Sequence, residues 1–143
     1  MNVFIYEYMI KVRPSTIMTR KDPRIYKVYT GRVFNEEYRN ARFIKVLDKT
    51  LIHYNFIYNI GVNKDTNPFN HRPNFCNNGL YFFRIPLFAK DIPNNLKKYM
   101  FSYGSLVADV EIPDYANILV ESSTEFKADH LILSNIRQIC NLE

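Results

Sequence analysis

The sequence predicts an α+β fold: one compact β-rich domain of mostly antiparallel strands with one or two short helices. Three observations carry that expectation. Short apolar stretches recur between Gly, Pro and Asn punctuation, the pattern of strands joined by turns. Hydrophobic residues make up 47% and aromatic residues 15% of the 143 residues, enough to fill one core. No repeat and no Pro/Gly-rich linker divides the chain, so residues 1–143 read as a single domain.

The elements follow in order. Over Val3–Val12, Phe4, Tyr6, Tyr8 and Ile10 alternate with Val3, Ile5, Glu7 and Met9. Both faces are apolar, which suits either a strand covered on both sides or a homodimer interface. Pro14 ends it. A basic loop from Ser15 leads to a short strand, Ile25–Tyr29, and Gly31 reads as a turn. Asn35-Glu36-Glu37 has the N-cap and first-turn acids of a short helix. Arg42–Leu47 then continues that helix or starts a strand. Tyr54–Ile60 reads as a strand ended by Gly61, and residues 63–78, with two prolines and six asparagines, as a long polar loop. Gly79–Arg84 is a strand, and Asn94–Met100 forms one or two helical turns after Pro93. Leu106–Ile112 puts Leu106, Ala108, Val110 and Ile112 on one face. Pro113-Asp114 turns into a strand at Asn117–Glu121 antiparallel to the one before, and Lys127–Leu133 leads into the last strand.

The charge is lopsided. Residues 1–75 hold thirteen Lys and Arg against six acids, and residues 76–143 hold six against eight, within a formal +5. The opening VFIYEYMIKV has no basic leader or cleavage site, and no apolar run reaches membrane-spanning length, so an intracellular protein with no membrane partner is expected. Cys76 and Cys140 have no CxxC spacing, and a reducing compartment suits them better than a disulfide. His71 and Cys76 lie close in sequence but lack a second ligand pair, so no metal is expected, and no cofactor. The absence of GxGxxG, P-loop, HExxH and GxSxG patterns argues against dehydrogenases, P-loop hydrolases, zinc proteases and α/β-hydrolases.

From about Phe43 the order of motifs resembles a domain common in mimivirus-type giant viruses. The matching runs are IHYNFIYNIGVNKDTNPFN, FCNNGLYFF, VADVEIPDYANILVE and EFKADHLIL, within residues 43–139. Asn78 stands where that family usually has Gly, and Tyr115 where it usually has Asp. Residues 1–42 fall outside the resemblance and hold most of the positive excess. The family occurs alone or in front of ankyrin repeats. It implies a viral protein in the infected cell's cytoplasm or in the virion, and implies no activity.

As physics, Asp65, Asn67 and Asn70 around Pro68 suit an Asx-turn network, and Phe69 adds an aromatic anchor. Cys76 reads as a small buried hydrophobe, and Gly79 as a position of positive φ before Tyr81. These seven residues form the expected binding surface for a host or viral macromolecule, most naturally a protein. The main expectation is therefore a non-catalytic interaction module, and the reading leans away from an enzyme. The GLYF string is also similar to the G-x-Y-F segment of ADP-ribosyltransferase-like domains. That resemblance implies an NAD-type ligand, with Tyr81 stacking on nicotinamide and His53 and Glu121 as partners; Arg32 for His53, and Glu111 or Glu125 for Glu121, fit equally by type. A third reading is a nucleic-acid module, in which Arg20, Lys21, Arg24 and Lys27 meet phosphates beside Tyr26 and Tyr29. A pair between Lys127 and Asp114 or Asp129 reads as a surface feature worth little.

Overall fold

The computed structural model describes residues 6–7, 27–53, 55–69 and 79–142. The chain order is β1 (Tyr6–Glu7), β2 (Lys27–Thr30), α1 (Gly31–Glu37), β3 (Arg42–Leu47), β4 (Ile52–His53), β5 (Phe56–Ile57) and β6 (Gly61–Lys64). It continues with β7 (Leu80–Ile85), a 3-10 turn (Ala89–Asp91), α2 (Asn94–Tyr103), β8 (Leu106–Glu111), β9 (Asn117–Val120), β10 (Glu125–Ala128) and β11 (His130–Gln138). Nine strands join one antiparallel sheet in the order β1-β2-β9-β10-β7-β3-β8-β11-β6, and β4 and β5 form a small hairpin. This is the β-rich α+β domain expected from the sequence.

Both faces of the sheet are covered. Along β3, Phe43 and Leu47 belong to one buried cluster while Ile44 and Val46 belong to another. Along β7, Leu80 and Phe82 pack into the first cluster and Phe83 and Ile85 into the second. A run such as Phe43–Leu47, apolar but for Lys45, suits a strand covered on both sides.

The connection from β8 to β9 sets the curvature. In the sheet, β3, β7 and β10 lie between these two strands, so the Pro113-Asp114 turn does not join hairpin neighbours as its sequence suggests. Four flat strand spacings would cover about 19 Å. The five linking residues, Ile112 to Ala116, reach barely that far even fully extended. They are not extended, because Ala116 N–H bonds the Pro113 carbonyl at 3.0 Å. The sheet must therefore curl, and α1 fills the concave side. Phe34 lies 5.3–6.1 Å, ring to ring, from Phe43, Phe82 and Phe126, three strands at once.

Several local expectations change for identifiable reasons. Gly31 does not turn the chain but opens α1. Thr30 is the N-cap, its hydroxyl accepting from Val33 N–H at 3.3 Å. Gly31 packs so closely on the 113–116 connection that a Cβ there would sit 1.9 Å from the Pro113 carbonyl oxygen. Asn35 lies inside the helix and donates to the Ile112 carbonyl at 2.8 Å and to Asp114 at 3.1 Å. Gly61 starts β6 with φ +94° instead of ending a strand, so the polar stretch from Asn63 begins in the sheet. The Lys127–Leu133 segment divides into β10 and β11. Of Val3–Val12, only the backbone of Tyr6–Glu7 is described, paired with Lys27–Val28.

Candidate functional site

The sheet carries a buried polar cluster that its strand patterns did not announce. The β3–β7 ladder runs from Arg42↔Ile85 to Ile44↔Phe83. Just past it, Lys45 reaches across and donates from Nζ to the Tyr81 carbonyl at 2.6 Å. The same ammonium lies 3.1 Å from His53 Nδ1 and 4.7 Å from the centre of the Tyr58 ring. Lys45 is 2% exposed, so these contacts take the place of its water. Because the ammonium only donates, Nδ1 must accept and the His53 proton is assigned to Nε2. Burial, reinforced by the Lys45 charge, lowers the His53 pKa from 6.5 to about 4.

The Tyr81 side chain continues the cluster. Its hydroxyl donates to Glu121 Oε2 at 2.7 Å, and both residues are 7% exposed. Opposite Tyr81 in the β7–β10 register stands Lys127, fully buried, with Nζ 5.9 Å from the Tyr81 ring and 5.7 Å from the Phe69 ring. This corrects the surface role expected for Lys127. Glu125 is half-buried near Glu121, and burial together with that second carboxylate raises its pKa above 4.5. Among the described residues every buried side-chain nitrogen and oxygen has a hydrogen-bond partner.

The loop base lies against this cluster. Asp65, buried, accepts from Asn67 N–H at 3.1 Å and from Gly79 N–H, tying the loop's two ends together. Its own N–H donates to the Asp129 carbonyl at 2.8 Å. Gly79 has the positive φ expected, +105°, and a Cβ there would lie 2.2 Å from Lys127 Cγ. Phe69 packs on Val28 and Leu119. Asn63, also buried, accepts from Asn59 N–H at 2.9 Å and donates to the carbonyls of Asn59 and Gly61 at 2.8 and 3.0 Å, fixing the approach to the loop.

Of the residues singled out from the sequence, Asp65, Asn67, Phe69, Gly79 and Tyr81 therefore meet around one loop base, while Asn70 and Cys76 lie outside the described residues. His53, Tyr81 and Glu121 are joined through Lys45 and the Tyr81 hydroxyl. Glu111 and Arg32 are exposed elsewhere. Lys27 is exposed on β2, and Arg20, Lys21 and Arg24 lie outside the described residues. His130 pairs with Asp129 at 2.9 Å, and Cys140 is an exposed free thiol. No group of three or more metal-ligating side chains occurs among the described residues, and no described helix is long and apolar enough to cross a membrane.

Sequence reasoning missed Lys45 and Lys127. A signal existed for Lys45, the single charge in the apolar strand run FIKVL, of a kind that is covered on both sides; EFKA, with Glu125 beside Lys127, carried none.

The fold and the cluster define a curled antiparallel sheet domain whose buried ion-bearing cluster braces one loop. Compared with protein-family models, curated proteins and solved structures, the chain matches none.

Proposed function

We propose that this domain is a non-catalytic interaction module that binds a macromolecule, most simply a protein, through the 63–78 loop and the strand that leads into it. The resemblance to giant-virus domains makes a host or viral protein in the infected cell the natural partner. One observation carries the reading. The loop springs from β6, an outermost strand in the sheet order, and Ile57, Ile60 and Val62 beside it are 62%, 63% and 55% exposed. Three large aliphatic side chains at the margin of a sheet favour a partner that adds a strand or covers the edge. The Asp65 clamp and the Phe69 anchor preorganise the loop base, which lowers the ordering cost of binding.

The test is capture of partners from host lysate by the wild-type chain and by Val62→Glu, with residues 66–78 replaced by a Gly/Ser loop in a third sample. Proteins recovered by the wild type and lost from both variants support the reading. The same set recovered from all three rejects it.

NAD-type nucleotide binding is kept as a second reading on the contact set joining His53, Tyr81 and Glu121. Two features weigh against it. Tyr81 is almost fully covered, and Lys127 holds a positive charge at its ring where a cationic nicotinamide would stack. A rise in melting temperature with NAD or ADP-ribose, absent in Tyr81→Phe and Glu121→Gln, would favour this reading over the first.

A further inference from the structure

The side of the sheet that faces α2 is covered over only part of its width. There the second buried cluster, which includes Met100 of α2, runs from β7 and β3 to Val107 on β8 and contains no residue of β11 or β6. Glu111, four residues beyond Val107, points to the same side of β8. The register sets Glu111, Ile132 and Val62 side by side across β8, β11 and β6, with His130 beside Lys64 in the next row. Residues directly opposite in an antiparallel ladder share a face, so all five lie on the α2 side. Val62 is 55% exposed, and Glu111 and Lys64 are exposed too. Ile132 belongs to none of the buried clusters of the described residues, unlike Leu131 and Leu133 beside it. Tyr115, 64% exposed, stands edge-on to His130 at 5.0 Å, ring to ring.

The charges on this face are laid out to fit a copy of itself. Val62 and Ile132 form an apolar centre, with Lys64 at one corner and Glu111 at the opposite corner. Two strand spacings and one two-residue step hold the corners about 12 Å apart, too far for an ion pair within one chain. Among the described residues neither has an ion-pair partner. Consider a two-fold axis lying along the face, through β11 between His130 and Ile132 and perpendicular to the Lys64–Glu111 diagonal. It sets Lys64 of each copy against Glu111 of the other, and Val62 against Ile132. A face of one sign would repel its own copy, whereas this one carries both signs at exchangeable corners.

We infer that this face of β8, β11 and β6 is where two copies of the chain associate, an isologous contact of sheet on sheet. Side chains from three strands cover less than the roughly 800 Å² per partner of a standard interface, so the dimer is weak, with Kd on the order of 100 µM. The contact is independent of the partner-binding reading. Strand addition at the β6 edge uses backbone groups in the plane of the sheet, whereas the dimer uses side chains standing above it. The two surfaces meet at Val62, so the variants that test the dimer leave Val62 unchanged.

Sedimentation velocity on the full chain, from about 5 to about 500 µM, tests this. The expected result is a monomer at the low end and a growing dimer fraction toward the high end, weakened as salt screens the paired corners. Lys64→Glu and Glu111→Lys each turn both attractive pairs into like-charge pairs and should weaken association about tenfold. Both side chains are exposed, so the fold should be unaffected. The double variant restores opposite charges with their positions exchanged and should recover association to within about threefold of the wild type. Replacing residues 66–78 should leave the dimer intact. A monomer at every concentration overturns the proposal. So does association that either single reversal leaves unchanged, that the double variant fails to restore, or that is lost with residues 66–78.

Discussion

Phe34 and Tyr81 stand at the centres of two regions built on opposite principles. Around Phe34 everything is ring or aliphatic chain: Tyr29, Tyr38, Phe43, Phe82 and Phe126 surround it at ring distances of 4.6–6.3 Å. Around Tyr81 lie two buried ammonium groups, a buried carboxylate, a buried loop aspartate and a half-buried imidazole. The first region follows from area alone, since buried apolar surface is non-directional and tolerant of geometry. The second requires each donor to meet its acceptor, because a buried charge without partners is expensive. Stability alone does not call for such a cluster, since apolar residues of similar volume often serve as well. Its position under the 65–79 loop base is what it provides.

Substitutions can break the contrast in order of effect. Phe34→Ala should cost about 3–5 kcal/mol in urea unfolding, because the helix ring touches three strands and the curled sheet cannot collapse onto the gap. A cost under about 1 kcal/mol would mean that the sheet holds its curl without α1. Gly79→Ala should cost about 2 kcal/mol or more, from positive φ together with the Lys127 side chain in the way. Hydrogen exchange at Asn67 and Gly79 should speed up in that variant if the Asp65 clamp loosens with it.

Tyr81→Phe should cost about 1–3 kcal/mol by removing the hydroxyl that donates to the buried Glu121 carboxylate. Pairing it with Glu121→Leu should recover part of that loss, and strict additivity of the two changes would argue against a coupled pair.

The pH dependence below neutrality sharpens the contrast further, since His53 and Glu125 both belong to the Tyr81 region, whereas the shifted groups beside Phe34 are the phenols of Tyr29 and Tyr38, raised above their ordinary range. His53 is neutral in the folded chain with a pKa near 4, below its unfolded value of 6.5. Between those values the unfolded chain holds the extra proton, so stability is full above about pH 6.5 and falls as pH drops toward 4. The loss should be on the order of 1–2 kcal/mol, after allowing for partial solvent screening at this site. Glu125 acts in the opposite sense. Its raised pKa favours the folded state at low pH, and that contribution fades as pH rises through its folded pKa. In His53→Gln the decline from pH 6.5 to 4 should vanish and leave the shallower Glu125 trend; an unchanged decline would exclude His53 as its source. Val62→Glu should change stability least, by under about 0.5 kcal/mol, while removing partner capture.

Much of the strand order along the chain was legible from local pattern. Leu106, Ala108, Val110 and Ile112 do share one cluster, as their alternation requires. Gly79 does have positive φ, because no other residue type enters that conformation as freely. Where the reading failed, a distant contact overrode a local signal. Asn35 has the chemistry of an N-cap, yet Thr30 takes that role and Asn35 reaches 77 residues onward to Ile112 instead. Pro113-Asp114 has the chemistry of a hairpin turn, yet its flanking strands are not neighbours. At the site, Asp65, Gly79 and Tyr81 were visible as turn and strand residues. Their convergence with His53 and Glu121 was not, because nothing local links positions 53, 81 and 121.

By itself, then, the sequence determined the class: a β-rich α+β domain of alternating apolar runs, with a polar, proline-containing stretch at its middle and a basic first half. Burial period and turn chemistry are local properties, readable residue by residue. Only the tertiary structure decided which strands are neighbours, and with them that two lysines lie inside and that one tyrosine joins a carboxylate on one side and an ammonium on the other. Pairing in a nine-stranded sheet is set by contacts far apart in sequence, and a charge becomes a buried charge only when some distant strand closes over it.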